Sequence, residues 1–391
     1  MQRTAEAVVV GAGVVGSSVA FHLAERGIET LVLDRNLPAS GSTARSAGLV
    51  RAHYPTALEA DLAWESITGY FEHWGERVGG GCGFTRTGFA FLAPEEGRND
   101  VVANTEMLRD EVGVETEMIG PDELSGLDPA ISVKGVSAAA YEPRGGYADP
   151  GSTAIGFLRA AQRHGASFEQ RTVTALEERE GTLTGVVTAQ GTVSADKVIV
   201  CAGSHSRHLA STVGLDLPIS PARIQVALFA RPFTVPTHLT MIDAAEDITI
   251  RPTADRCTFV SMRMSELEWL EDADRYETDI EERTARIAGE RLGRRIPALE
   301  RASRRLGWSG VLDMTPDGRP AMGPAGPEGL YLCCGWSGKG FKKAPAVGNE
   351  ASRWMVEGSP SRKSMMSYTP ERFEKGDLIR GRHEYGVKTP N

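Results

Sequence analysis

Long apolar runs are missing from this sequence. No stretch approaches the roughly 18–20 apolar residues that a spanning helix needs, so a membrane protein is not expected. Residues Met1 to Glu6 lead into no signal-peptide h-region, because the apolar run Ala7–Val10 is short and ends in glycines. Cysteine is scarce. Cys82, Cys201, Cys257, Cys333 and Cys334 make no C-x-x-C pair and no even framework, which is the pattern of thiols in a reducing cytoplasm. No Cys/His cluster has the spacing of a zinc site, so no metal is expected. Cationic runs are absent too. At a net charge of −9, with no Lys/Arg cluster long enough to track phosphates, nucleic acid is not an expected partner. Small anions, which need only two or three local cations, stay open.

The chain is otherwise that of a soluble globular protein, with 41% apolar and 24% charged residues over 391 positions, enough for two or three domains. Glycine is plentiful, at 44 residues, which suits tight turns and close backbone approaches. The first unit is clear. Ala7–Val10 reads as a strand buried on both faces, Val14 to Arg26 as a helix that stops at Gly27, and Thr30–Leu33 as a second strand ending at Asp34. Together they form a βαβ unit of about thirty residues.

Further along, Phe89–Ala93 and Val136–Tyr141 read as strands and Val101–Val112 as a helix. Asp149 and Pro150 open a helix to about His164 as N-cap and first-turn proline. Strands are expected at Ser167–Glu177, Leu183–Thr188 and Gly191–Ala195, the last running into Lys197–Cys201. Arg223–Ala230, Asp247–Arg251 and Cys257–Ser261 alternate like sheet strands, and Ala273–Leu292 reads as a charged amphipathic helix. That segment suggests a second, sheet-based lobe. The tail after Gly358 is basic, poor in apolar residues and expected on the surface.

Chemistry enters with Gly11-Ala12-Gly13-Val14-Val15-Gly16, a G-x-G-x-x-G placed between a strand and a helix. Gly11 suits the tight turn, Gly13 lets a pyrophosphate approach the backbone, and Gly16 lets the helix pack close to the sheet. The helix N-terminus offers free N–H groups and partial positive charge. Asp34 stands 23 residues after Gly11, where its carboxylate can accept from both ribose hydroxyls and would repel a 2′-phosphate, against NADP. The motif alone leaves NAD and FAD open. The loop Ser40 to Arg51 follows, stripped of bulk and carrying Arg45 and Arg51, so its amides can approach a flat ligand and further phosphate oxygens.

These blocks, with Lys197–Gly203 and the stretch from Trp308-Ser309-Gly310 through Asp317–Pro324 to Gly335–Lys342, resemble the D-amino acid oxidase-like FAD-dependent oxidoreductases. Within them the likeness is to the sarcosine oxidase, dimethylglycine dehydrogenase and glycine oxidase branch, from Ala7 to about Gly348. The resemblance implies an α/β (α+β) fold: a discontinuous Rossmann-like FAD-binding domain (residues 1–85, 148–221 and 307–365), a mixed-sheet substrate domain (86–147 and 222–306) and a surface tail (366–391). It implies oxidation of an amine C–N bond of a small amino acid or N-substituted glycine, with hydride passing to flavin N5 and the imine hydrolysed to amine plus oxo acid. The electrons would go to O2 or to an acceptor protein. A FAD-bearing subunit of a partner-dependent dehydrogenase, and a biosynthetic enzyme cleaving an N-carboxymethyl amine, are its alternatives.

Residue by residue, the resemblance assigns cofactor contacts to Gly11, Gly13, Val14, Val15, Gly16, Asp34 and Arg35, and to the loop residues Ser42, Thr43, Arg45, Ser46, Ala47, Gly48 and Leu49. It extends them to Val173 at the adenine, Ala202 and Gly203 at the pyrophosphate, and Gly310, Gly338, Lys339, Gly340, Phe341 and Lys342 near the isoalloxazine. Lys342 and Arg51 would hold the substrate carboxylate, with Arg251 a third candidate. A helix starting near Phe341 would aim its N-terminus at the flavin, where negative charge collects on reduction. Two departures stand out. The positions that carry covalent flavin in relatives fall at Gly310 and Arg45 here, so non-covalent FAD is expected. The position of an oxygen-activating lysine falls at Val260.

Overall fold

The computed structural model describes residues 3–262 and 267–384. The βαβ unit is as expected: β1 (Arg3–Val10), α1 (Val14–Glu25) and β2 (Thr30–Asp34), with β1 and β2 parallel and Val10 opposite Leu33. Val9 faces one apolar core while Val8 and Val10 face another, so the strand is buried on both sides, as its unbroken apolar run requires. The first sheet runs in the order Ala321–Pro324, Leu330–Cys334, Gly191–Val200, β1, β2, Ser167–Gln170, with an antiparallel hairpin of Val173–Arg179 and Thr182–Thr188 on the Gly191–Val200 strand. On one face lie α1 and the helices Pro150–Arg163 and Ala344–Glu357. Gly348 makes the last packing possible, since a Cβ there would sit 2.2 Å from Ser18 Oγ on α1.

The second sheet has nine strands among the described residues and its own apolar core. Its order is Glu268–Trp269, Ser220–Ala230, Cys257–Met262, Ile248–Pro252, Thr240–Asp243, Phe89–Ala93, Ala138–Glu142, Glu117–Ile119, with Arg304–Met314 also paired to Ser220–Ala230. One face packs on the helix Glu282–Arg295 through Val260, Leu292 and Ile296. The other faces the first sheet's strand ends.

Several expectations need correction. Arg304–Met314 belongs to the second sheet, so a boundary at 307 falls inside a strand. Ser167–Glu177 is two strands broken at Arg171-Thr172, which join different neighbours. The helix expected from Ala273 begins only at Glu282. Residues before it are drawn out by tertiary contacts: Asp274 takes a bidentate bond from Arg35 at 2.7 and 2.6 Å, and Arg223 donates to the carbonyls of Glu277 and Asp279. The tail is no loose surface wrap either. Met365 and Tyr368 are buried, and Arg372 pairs with Asp317 at 2.8 Å in the interior. Residues 385–391 of that expected tail lie outside the described residues.

Candidate active site

The crevice between the lobes starts at the carboxyl ends of β1 and β2. Gly11 turns there with φ +112°, and a Cβ on it would lie 2.5 Å from the Cys201 carbonyl oxygen. Gly13 is the extended N-cap of α1 and supplies no side chain to its free amides. Val14 N–H alone is taken up, by Thr43 Oγ1 at 3.0 Å. A Cβ on Gly16 would overlap the Gly11 carbonyl oxygen at 1.9 Å, so Gly16 serves helix packing and does not line the crevice. Asp34 accepts from Ala12 N–H and Asn36 N–H, both at 2.8 Å, which fixes its carboxylate on the floor. Gly11→Ala should therefore strain this turn by roughly 1–3 kcal/mol and yield protein with reduced flavin content, read from the ratio of visible to ultraviolet absorbance.

The crevice encloses about 890 Å³, within the size range of cofactor sites. Apart from Gly16 and Arg251, every residue given a cofactor or substrate contact from the sequence lines it. Ser42–Arg45 forms a 3₁₀ turn anchored by Ser42 Oγ on the Val311 carbonyl at 2.7 Å. Arg45 folds back onto the carbonyls of Ser40 and Gly41 at 2.8 and 3.1 Å. A Cβ on Gly310 would meet Arg45 Cβ at 3.0 Å, so the two positions pack directly together. Ala202 and Gly203 lie at the Gly11 end, with Ala202 Cα 3.3 Å from where a Cβ on Gly11 would stand, and Val173 also lines the crevice. At the other end, Asp313 Oδ2 accepts from Gly335 N–H (2.8 Å) and Trp336 N–H (3.0 Å), which sets the loop carrying Gly338, Lys339 and Gly340.

That loop feeds a 3₁₀ turn, Phe341–Lys343, and then the helix Ala344–Glu357, with Pro345 harmless in its first turn. Lys342 lines the crevice at 6% exposure and has no acceptor among the described residues. Burial, then Arg51, Lys343 and Lys339, push its pKa well below the ordinary lysine value. Arg51 lies over the Tyr54 ring at 4.4 Å and donates to the His53 carbonyl, while its Nε is buried with no partner. His53 is buried against Phe91, and burial followed by Arg51 lowers its pKa to about 3, so it stays neutral.

Beneath this end sits an ion cluster that the sequence did not announce. Glu59 is fully buried and meets Lys343 at 3.0 Å, Arg319 at 3.1 Å and Lys339 at 3.7 Å. Burial alone would raise its pKa, but the three cations hold it well below the usual carboxylate range. Lys343, by contrast, is lowered to about 8, chiefly by burial. Two positions singled out from the sequence stand away from the crevice lining. Arg251 stands outside the crevice lining, with its guanidinium on the Ala47 carbonyl and between the rings of Tyr147 and Phe259. Val260 points into the helix-covered core, and its neighbours Phe259 and Ser261 face the crevice instead. Tyr54, Phe91 and Glu384 line the crevice and Glu59 lies against its cations, and sequence reasoning missed them or left them without a role.

The floor fits a dinucleotide: glycines wherever a Cβ would intrude, a helix N-terminus without a side-chain cap, and a fixed carboxylate 23 residues on. The cationic far end fits a flavin and an anionic partner. Comparisons agree. Mouse mitochondrial sarcosine dehydrogenase is 27% identical over 387 residues, which are 95% of this chain and 42% of that protein. The chain thus spans well under half of that relative. The beta subunit of sarcosine oxidase from Rhodobacter capsulatus is 26% identical over 96% of this chain and 90% of its own. The crystal structure of L-proline dehydrogenase from P. horikoshii superposes with a TM-score of 0.89 at 24% identity, covering 97% of this chain and all of that one, a likeness of fold. The profile of the family described as FAD dependent oxidoreductase matches residues 6–354, and the chain belongs to that DAO family of FAD-dependent oxidoreductases.

Proposed function

We propose that this protein oxidises the C–N bond of a carboxylate-bearing amine, an amino acid or N-substituted glycine, with FAD held non-covalently in the crevice. The observation that carries the reading is Lys342, a buried amine whose Nζ has no acceptor among the described residues, beside Arg51 at the start of the helix Ala344–Glu357. An anion is what this end lacks. Two neighbouring cations suit the two oxygens of one carboxylate. Bound flavin supplies the acceptor for the two electrons and hydrogen taken from the amine carbon. The chain supplies orientation through Lys342 and Arg51, a water-excluding apolar cover, and positive potential at the helix start. The imine leaves for water and hydrolyses to an amine and an oxo acid. Under this reading the first lobe carries FAD and the second covers the substrate. Five unpaired cysteines support a reducing, cytoplasmic setting.

Binding is linked to protons. Lys342 in the free site is biased toward its neutral form, and a carboxylate on Nζ favours the charged form. Carboxylate binding therefore takes up a proton wherever free Lys342 is neutral, and affinity falls as pH rises. Calorimetry with acetate, which has no amine to titrate, should show weaker binding at higher pH; affinity that strengthens with pH contradicts the assignment. With Gly310 and Arg45 at the positions of covalent attachment in relatives, acid precipitation should release the yellow flavin to the supernatant, and a yellow pellet contradicts this.

A second reading is that this chain is the FAD-bearing part of a partner-dependent dehydrogenase: the 90% coverage of the Rhodobacter sarcosine oxidase beta subunit supports a subunit role, and the likeness to sarcosine dehydrogenase supports the dehydrogenase chemistry. Purified chain with substrate separates the two. Peroxide release supports an oxidase, whereas flavin bleaching that turns over only with an added dye supports a dehydrogenase.

A further inference from the structure

The second lobe decides what the site accepts beyond a carboxylate, and pleating decides which of its side chains face the crevice. On the strand Cys257–Met262, Phe259 and Ser261 face it while Val260 turns away. Phe91, Ile242 and Thr249 line it from neighbouring strands, and Met262, at the strand's end, borders it as well as the core. None of these six carries a charge. The charged residues of the same strands are engaged elsewhere. Asp243 is fully buried on Arg295 at 2.5 Å, and Arg251 is held by the Ala47 carbonyl. His53 is neutral, and Lys339 is paired with Glu59. At this end of the crevice that leaves the cations Lys342 and Arg51, enough for one carboxylate.

We infer that the substrate is a monocarboxylate amine whose remaining substituent is apolar, held under the uncharged cover of Phe91, Ile242, Thr249, Phe259, Ser261 and Met262. This rests on the amine-oxidation reading above and narrows it. A second carboxylate or an ammonium arm would lose its water against this cover without gaining an opposite charge. Each methylene buried there would instead strengthen binding by about fourfold.

The test is calorimetric titration of the holoenzyme with acetate, 3-methylbutanoate and butanedioate. The expected result is 3-methylbutanoate binding at least tenfold tighter than acetate, with butanedioate no tighter than acetate. Ile242→Asn should cut the branched acid's advantage to below threefold and leave acetate within twofold. If butanedioate binds most tightly, if the branched acid gains nothing over acetate, or if its advantage survives in Ile242→Asn, the inference is overturned while the carboxylate clamp stands. If no carboxylate binds, the clamp itself fails and the inference falls with it.

Discussion

Lys342→Met should lower kcat/KM for the amine substrate by about two to three orders of magnitude, the range expected when one partner of a desolvated charge pair is removed. Methionine keeps the length of the side chain and most of its volume, so the apolar stem still packs and only the ammonium is lost. Flavin content should match wild type, because the floor that fits the dinucleotide lies at the other end of the crevice. Stability should hold or rise, since the substitution removes one cation from a group that already includes Arg51, Lys339 and Lys343. Steady-state kinetics, the flavin spectrum and a denaturant midpoint read these three effects separately. Unchanged kinetics would discard the clamp.

The second large effect is structural. Glu59→Gln should destabilise the fold by roughly 3–5 kcal/mol, the cost of breaking a buried ion pair and leaving charge uncompensated. Three cations meet this carboxylate, and among the described residues only Glu384, on Arg319 at 2.6 Å, offers them another. The pH dependence has a definite sign. In wild type, Glu59 is depressed below its unfolded value, so its stabilisation is complete above the ordinary glutamate pKa and is lost as pH falls from there through the depressed native value. In the variant the penalty comes from buried ammonium groups. Lys343, already lowered to about 8, loses its carboxylate and falls further. The unfolded chain then binds more protons than the native one between neutral pH and the ordinary lysine value, so the variant should gain stability as pH rises. Denaturant midpoints at several pH values check this, and a variant as stable as wild type at neutral pH removes the role given to the cluster.

How far the sequence was legible follows the range of the forces involved. The βαβ unit and its glycines are local: spacing, apolar runs and turn chemistry all lie within thirty residues, and each glycine's role recurs as a close backbone contact at Gly11 and Gly16. Asp149 and Pro150 likewise open their helix by a local cap, with Asp149 Oδ1 on Ser152 N–H at 2.6 Å. What failed was long-range. Residues 273–281 carry helix-compatible composition, yet Arg35 and Arg223 reach them from far along the chain. Arg372 and Asp317 similarly pull the tail inward. Val260 lies in the core while Phe259 and Ser261 face the crevice, an alternation whose sense the composition of Cys257–Ser261 alone does not fix. Glu59 gave no signal at all: three residues after Thr56 in a helix's first turn, it reads as a capping residue, and only the fold brings Lys339, Lys343 and Arg319 around it. The uncharged cover was equally hidden, being drawn from four strands that only the sheet aligns.

The claim that a cationic pocket delivers carboxylate-bearing amines to a bound flavin is tested most directly by anaerobic titration of the flavin band. The panel should hold amino acids, N-methyl amino acids and the same amines without their carboxyl group. The account predicts that members carrying the carboxylate bleach the band and that their decarboxylated counterparts leave it unchanged. Bleaching by the amines regardless of the carboxylate, or by no member of the panel, would contradict it.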